Sequence, residues 1–171
     1  MYIKTEHLEL KPLSGSDRDN MIELLTNSEI KKTYMLPDFE NEEQAEKLFA
    51  RLKEGSLADK VYQVGIFLDD EVIGYANEVE RDGGKIELGY VIHPKHHNKG
   101  YGTEMLRAMI EEMFARGFSE VLAGAFEENL ASMRIMEKSG MTRIEKTDEI
   151  EYRGKVHQCV YYSKSVTGSG E

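Results

Sequence analysis

The sequence predicts an α/β fold: a sandwich around a mixed, mostly antiparallel central sheet flanked by helices. Three observations predict it. Apolar runs at 61–68, 72–79 and 85–92 follow one another across short polar turns, as an antiparallel meander does. A helical pattern at 102–116 separates the third run from another at 120–125, so a crossover makes those two strands parallel. Two further runs, 141–150 and 156–163, flank Tyr152-Arg153-Gly154-Lys155 as a closing hairpin.

Residues 2–13 alternate at Ile3, Leu8 and Leu10 and read as a first strand closed by Pro12. Ser14-Gly15-Ser16-Asp17 is turn and cap chemistry, and Met21, Leu24 and Leu25 then fall on one helical face. Residues 33–39, with Pro37, form a loop. Asn41 caps a second helix in which Glu42 and Glu43 suit the positive end of the dipole. Ala45, Leu48, Phe49 and Leu52 recur at helical spacing, and Gly55 is expected to end the helix. Asp69-Asp70-Glu71 and Asp82-Gly83-Gly84 turn the meander. The helix at 102–116 has two apolar rows, Met105/Met109/Met113 and Leu106/Ile110/Phe114, and Gly117 stops it. Asn129 caps a short helix that Gly140 ends from C′.

At 171 residues the chain is expected to form one domain over 1–164, with a polar tail at 165–171. Its 40% hydrophobic and 32% charged residues are an ordinary globular mix. No apolar run reaches the ~20 residues of a membrane span, and the first residues form no signal peptide, so a cytoplasmic protein without a membrane partner is expected. Cys159, the only cysteine, excludes an internal disulfide and a paired-cysteine zinc site. His157 shares its strand face and invites a thiol-base reading beside the plainer one, a small buried hydrophobe. The net charge of −10 argues against nucleic acid and favours cationic ligands, although solubility alone accounts for it equally.

Against that acidic field stands a basic knot, Lys95, His96, His97 and Lys99, inside Tyr90-Val91-Ile92-His93-Pro94-Lys95-His96-His97-Asn98-Lys99-Gly100-Tyr101-Gly102-Thr103-Glu104. A strand runs into Pro94, a basic loop follows, and two glycines open a helix. The first N–H groups of that helix have no partner one turn back and sit at the positive end of its dipole. Without Cβ atoms at Gly100 and Gly102, an anion such as phosphate approaches those donors closely. The common nucleotide motifs do not fit the spacing: there is no G-x-x-x-x-G-K-[ST], and Met105 stands where G-x-G-x-x-G needs its third glycine. Three histidines in five residues, His93, His96 and His97, leave a metal site as an alternative, but the loop offers no fixed geometry and none is expected.

His97-Asn98-Lys99-Gly100-Tyr101-Gly102 resembles the pyrophosphate loop of the GNAT acetyltransferases, Gln/Arg-x-x-Gly-x-Gly/Ala, with histidine at its first position. About 30 residues on, Asn129-Leu130-Ala131-Ser132-Met133-Arg134-Ile135-Met136-Glu137-Lys138-Ser139-Gly140-Met141 resembles that family's later N-x-x-S/A-x-x-x-x-x-K-x-G-F/M element. The Rim-type branch, which acetylates protein N-terminal amines, is the most similar. The resemblance implies a GNAT-like sandwich, acetyl-CoA as co-substrate and direct transfer of acetyl to an amine. It places the diphosphate on the backbone of His97, Asn98, Lys99, Gly100, Tyr101, Gly102 and Thr103. The pantetheine arm then pairs along Tyr90, Val91, Ile92 and His93, with Asn129 as a further contact.

The chemistry needs a neutral amine, an oxyanion site and a proton for the leaving thiolate. Glu87, on the opposite strand face from 86, 88, 90 and 92, is the candidate base; the other reading is a solvent-facing or salt-bridged glutamate. Backbone N–H groups near 91–93 serve the oxyanion. Many relatives carry a tyrosine acid seven residues after the asparagine; here that position is Met136, and Ser132 is the substitute unless it only caps the helix. Tyr34, Met35 and Phe39, between the first two helices, are candidates for lining the acceptor groove or for packing. The acceptor is expected to be a protein N-terminus, ahead of a polyamine or an aminoglycoside-type amine. An α-amine with a reference pKa of about 7.7–8.0 is roughly a tenth neutral at pH 7, against well under a hundredth for lysine at about 10.4. A non-catalytic acyl-CoA-binding module is the competing reading, and monomer and homodimer are both open.

Overall fold

A computed structural model describes residues 1–167. In chain order the elements are β1 (Ile3–Lys4), β2 (Leu8–Lys11), α1 (Arg18–Leu25), α2 (Glu42–Leu57), β3 (Gln63–Leu68), β4 (Glu71–Asp82) and β5 (Lys85–Ile92). They continue with α3 (Tyr101–Ala115), β6 (Glu120–Phe126), α4 (Leu130–Lys138), β7 (Thr142–Tyr152) and β8 (Lys155–Ser165). The eight strands form one mixed sheet in the order β1-β2-β3-β4-β5-β6-β8-β7. The crossover through α3 makes β5 and β6 parallel, Glu87 opposite Leu122, as the pattern predicted. The β1–β2, β2–β3, β3–β4, β6–β8 and β7–β8 pairs are antiparallel.

By compactness the chain divides into Met1–Asn77 with Tyr90–Met105, and Glu78–Gly89 with Leu106 onward. In the first unit, Met21, Leu24 and Leu25 of α1, Phe49 of α2, Phe67 of β3, Val72 and Tyr75 of β4 and Val91 of β5 share one buried cluster. Asp69 and Asp70, both at positive φ, turn β3 into β4. In the second unit, Leu106, Met109, Ile110 and Met113 of α3 are all buried to within 1% exposure. On β6 and β8, Val121, Ala123, Val160 and Tyr162 are likewise core. Arg153 and Gly154, also at positive φ, close the last hairpin.

Several expectations need correction. The single strand over 2–13 is two short strands, β1 and β2, folded on each other. The hydrophobic phase changes there, from odd-numbered Ile3 to even-numbered Leu8 and Leu10, and a turn absorbs the change. Thr5 N–H donates to Leu8 O (2.9 Å), while Leu8 N–H donates to Thr5 Oγ1 (3.0 Å). Gly55 does not end α2, which continues to Leu57. A Cβ there would lie 3.1 Å from the Gln63 side chain, and Gln63 Nε2 caps the carbonyl of Leu52. The glycine therefore makes room for a neighbouring strand inside the helix. Ser165, expected to begin a polar tail, closes β8; Val166 N–H donates to Ser119 O (2.9 Å), and residues 168–171 of that tail lie outside the described residues. Among the described residues, no helix is long and apolar enough to cross a membrane.

Candidate active site

In the first unit the end of β5 and the start of α3 bracket the glycine loop. His93 N–H donates to Ile73 O (2.7 Å), and Pro94–His96 then form one 3₁₀ turn. His93 caps that turn, its Nδ1 accepting the N–H of Lys95 (3.1 Å). The N–H groups of His96 and His97 return to His93 O and Pro94 O (2.9 and 3.2 Å). The side chain of His97 bends back, Nε2 lying 2.6 Å from Ile92 O. Because a carbonyl only accepts, Nε2 carries the proton. Histidine at the first loop position thus closes the loop on itself.

Asn98 and Gly100 take left-handed conformations (φ 60 and 84). A Cβ on Gly100 would meet nothing within 4 Å, so the conformation and the open space in front of it, rather than crowding, call for glycine. The next helical bond runs from Glu104 N–H to Gly100 O (3.0 Å), which leaves Tyr101, Gly102 and Thr103 as the first-turn donors of α3. Burial and the nearby Lys99 push the His96 imidazole below its ordinary value, so the positive charge of the loop rests on Lys95 and Lys99 at neutral pH. Among the described residues, no three His, Cys, Asp or Glu side chains converge as a metal group would need.

The first turn of α3 is anchored from a distance. Glu104 Oε1 accepts from Thr5 Oγ1 (2.5 Å) and from His7 N–H (2.7 Å), and Oε2 lies 2.9 Å from His7 Nδ1. Hydrogen bonding to Glu104 raises the His7 pKa. For Glu104, burial works upward, but the Thr5 and His7 bonds together hold its carboxyl below the ordinary value.

Of the three groove candidates, Tyr34 and Phe39 pack against the core and Met35 is half exposed. Tyr34 meets Tyr75 edge-on, ring centroids 6.0 Å apart, with its hydroxyl 3.5 Å from Asn77 Oδ1. Burial raises both phenol pKa values, so both hydroxyls stay protonated.

In the second unit, Glu87 is half-buried on β5. Burial lifts its carboxyl above the ordinary range; Lys146 opposes the shift, and Glu80 and Asp148 add to it. Tyr161 lies across Gly124, where a Cβ would come within 2.8 Å of its ring. The Lys146 ammonium sits 4.2 Å from that ring's centre, and the Tyr161 hydroxyl donates to Asp148 Oδ2 (2.7 Å). Burial and Asp148 push the Tyr161 phenol far above its ordinary value, which makes it a poor proton donor to a thiolate. Cys159 is buried with its thiol pKa raised, and His157 instead stacks on Phe126 (4.3 Å) and meets Glu128 Oε1 at 3.2 Å.

Asn129 and Ser132 are brought together at the start of α4, Asn129 Oδ1 accepting the N–H of Ser132 (3.1 Å). At the other end Gly140 (φ 84) supports paired bonds from Gly140 N–H to Glu137 O and from Met141 N–H to Met136 O, a Schellman stop. Met136 is fully buried. One expectation is corrected here: His93 N–H is committed to Ile73 and does not serve an oxyanion, so that part falls to Val91 and Ile92. Sequence reasoning missed Lys146, Asp148 and Tyr161 beside Glu87, and Thr5, His7 and Glu23 in the first unit. Only strand pairing and long-range packing assemble them, and no local pattern carries that.

Residues 7–142 match the acetyltransferase (GNAT) domain family. The chain is 29% identical over 145 residues to an uncharacterized N-acetyltransferase, YnaD, of Bacillus subtilis, 84% of each chain being covered. Among solved structures it superposes on a GNAT-family acetyltransferase from Bacillus anthracis with a TM-score of 0.82 and 24% identity, covering 96% of this chain and 98% of that one. It also superposes on RimL, a ribosomal L7/L12 alpha-N-protein acetyltransferase in complex with coenzyme A, with a TM-score of 0.80 and 16% identity, covering 97% and 98%.

Proposed function

The chain belongs to the acetyltransferase (GNAT) family, and we propose that, as a single acetyltransferase domain over 1–164, it transfers acetyl from acetyl-CoA directly to a primary amine. The observation that carries this reading is the loop between β5 and α3. A left-handed Gly100 opens onto clear space beside three first-turn amide donors and two lysines. That is the donor set a diphosphate requires. Coenzyme A bound to RimL supports the choice of diphosphate.

In this reading His97, Asn98, Lys99, Gly100, Tyr101, Gly102 and Thr103 hold the diphosphate by their main chain, and the arm follows Tyr90, Val91, Ile92 and His93. Asn129, its carboxamide oxygen occupied by Ser132, contributes its NH2 group. Glu87 takes a proton from the acceptor ammonium, directly or through water, and its raised pKa brings it nearer the range of an effective base. The amine nitrogen attacks the thioester carbon, and the N–H groups of Val91 and Ile92 hold the oxyanion. The C–S bond then breaks, and Ser132 supplies the proton that the thiolate takes up. Tyr34, Met35 and Phe39 border the acceptor, Met35 being the one that offers a free apolar surface.

The acceptor we favour is a protein N-terminal amine, the substrate class in RimL's name, with polyamines and aminoglycoside-type amines behind it. The net charge of −10 suits such cations and a cytoplasmic setting without nucleic acid. The test is release of free thiol from acetyl-CoA across N-terminal peptides, polyamines and aminoglycosides. Turnover on at least one amine, lost in Glu87→Gln, is expected. Coenzyme A binding without turnover on any of them would assign the chain to a non-catalytic acyl-CoA-binding module.

A further inference from the structure

His93 does more than end β5. Its ring is buried at 8% exposure, and its two nitrogens have different tasks. Nδ1 accepts the Lys95 N–H and so holds the turn that launches the glycine loop. That bond puts the ring proton on Nε2. Nε2 is sealed from solvent and has no hydrogen bond of good geometry, yet Glu23 Oε2 on α1 lies 2.5 Å away, beside the N–H direction. Glu23 is half exposed, and Asn27 Nδ2 reaches its other oxygen at 3.4 Å.

We propose that Glu23 is a positioning residue for the cofactor loop, acting through the buried His93. The inference rests on the acetyl-CoA reading above and names a residue that touches neither reactant. An imidazole can present either nitrogen to Lys95 by flipping. A carboxylate beside Nε2 favours the one orientation and tautomer in which Nδ1 remains the acceptor. Without it, a buried N–H has no acidic neighbour, and the ring loses its reason to keep the Lys95 bond. A surface ion pair is worth little because water competes at both ends. Here water is excluded from one end, so the contact has more leverage than its exposed carboxylate indicates. Pro94 and the His97-to-Ile92 bond pass that orientation along the loop.

The test combines coenzyme A calorimetry with steady-state kinetics on the full chain, for Glu23→Ala, Glu23→Gln, His93→Asn and the Glu23→Ala/His93→Asn pair. The carboxamide introduced by His93→Asn keeps an acceptor for Lys95 but carries nothing to pair with Glu23. Glu23→Ala is expected to weaken coenzyme A binding and raise the acetyl-CoA KM by about tenfold, the scale of one buried donor left unpaired. Glu23→Gln should fall between it and the parent, and the effect should lie on KM more than on kcat. In the His93→Asn background Glu23→Ala should add nothing, because the pair is already broken. Unchanged affinity in Glu23→Ala, or a full additional loss in the double variant, overturns the proposal. A parent chain that binds no coenzyme A overturns the acetyl-CoA reading and the proposal with it. Because Glu23 is a surface carboxylate, matched melting curves verify that each variant is folded.

Discussion

Gly74→Ala should disable the chain from the back of the strand that meets the cofactor. Gly74 lies on β4, and a Cβ added there would stand 2.1 Å from Val91 O and 3.0 Å from Ile92 Cα. Ordinary contact begins at 3.4 Å, so the end of β5 would have to retreat by about 1.3 Å. The obstacle is main chain, which cannot swing aside as a side-chain tip can. Overpacking of this kind costs about 1–3 kcal/mol, and the His93-to-Ile73 bond next to it is worth about 0.5–1.5 kcal/mol. A loss of about 2–4 kcal/mol follows, which for a chain of this size lowers Tm by about 4–16 °C. Thermal melts and coenzyme A titrations measure both consequences, with Gly15→Ala as control, since a Cβ at Gly15 meets nothing within 4 Å. A Gly74→Ala protein within about 1 °C of the parent, with the same acetyl-CoA KM, would show that β5 tolerates the displacement and refute the reasoning.

Three other outcomes are expected. Glu87→Gln should lower kcat by about 10²–10⁴ and remove the acidic limb of the pH profile, which in the parent lies above the ordinary carboxyl range because burial raises this pKa. The same shift has a stability consequence of opposite sense: the folded state holds the Glu87 proton more tightly than the unfolded chain. Parent stability therefore declines as pH rises from the ordinary glutamate value through the raised one, and Glu87→Gln should melt higher at pH 7. The His7 contribution is complete below its ordinary value and fades as pH rises through its raised one, so His7→Ala should flatten the fall in Tm across that window. Asn129→Ala should cost about 0.5–2 kcal/mol through loss of the α4 cap, whereas Ser132→Ala should keep the melting temperature and lower kcat; equal melting losses would make Ser132 a capping residue only.

The sequence made legible whatever depends on neighbours along the chain. The parallel β5–β6 pair follows from a single helical interval, and Asn129 and Gly140 bound α4 as cap chemistry requires. The loop before α3 could be placed because Pro94 and two close glycines leave few backbone paths. What escaped depends on neighbours in space. Gly55 looked like a stop because its reason, the Gln63 side chain, belongs to another strand. The β1–β2 turn was written in the changed phase of Ile3 and Leu8, but its anchor, Glu104, lies 99 residues from Thr5. His97 departs from the family's loop pattern, and only the coordinates reveal its bond to Ile92 O. Likewise, nothing around Asp148 or Tyr161 in sequence points to Glu87; the β6–β8–β7 order gathers them.

Cys159 gives the molecule a built-in reporter. It is the only sulfhydryl in the chain, and it lies at 7% exposure on β8, a strand paired on both sides. An alkylating reagent can reach it only when that strand opens, so the labelling rate over the intrinsic rate of a free thiol gives an opening free energy for this one location. Followed with and without coenzyme A, a single mass-spectrometric peak would record how far ligand in the glycine loop quiets β8.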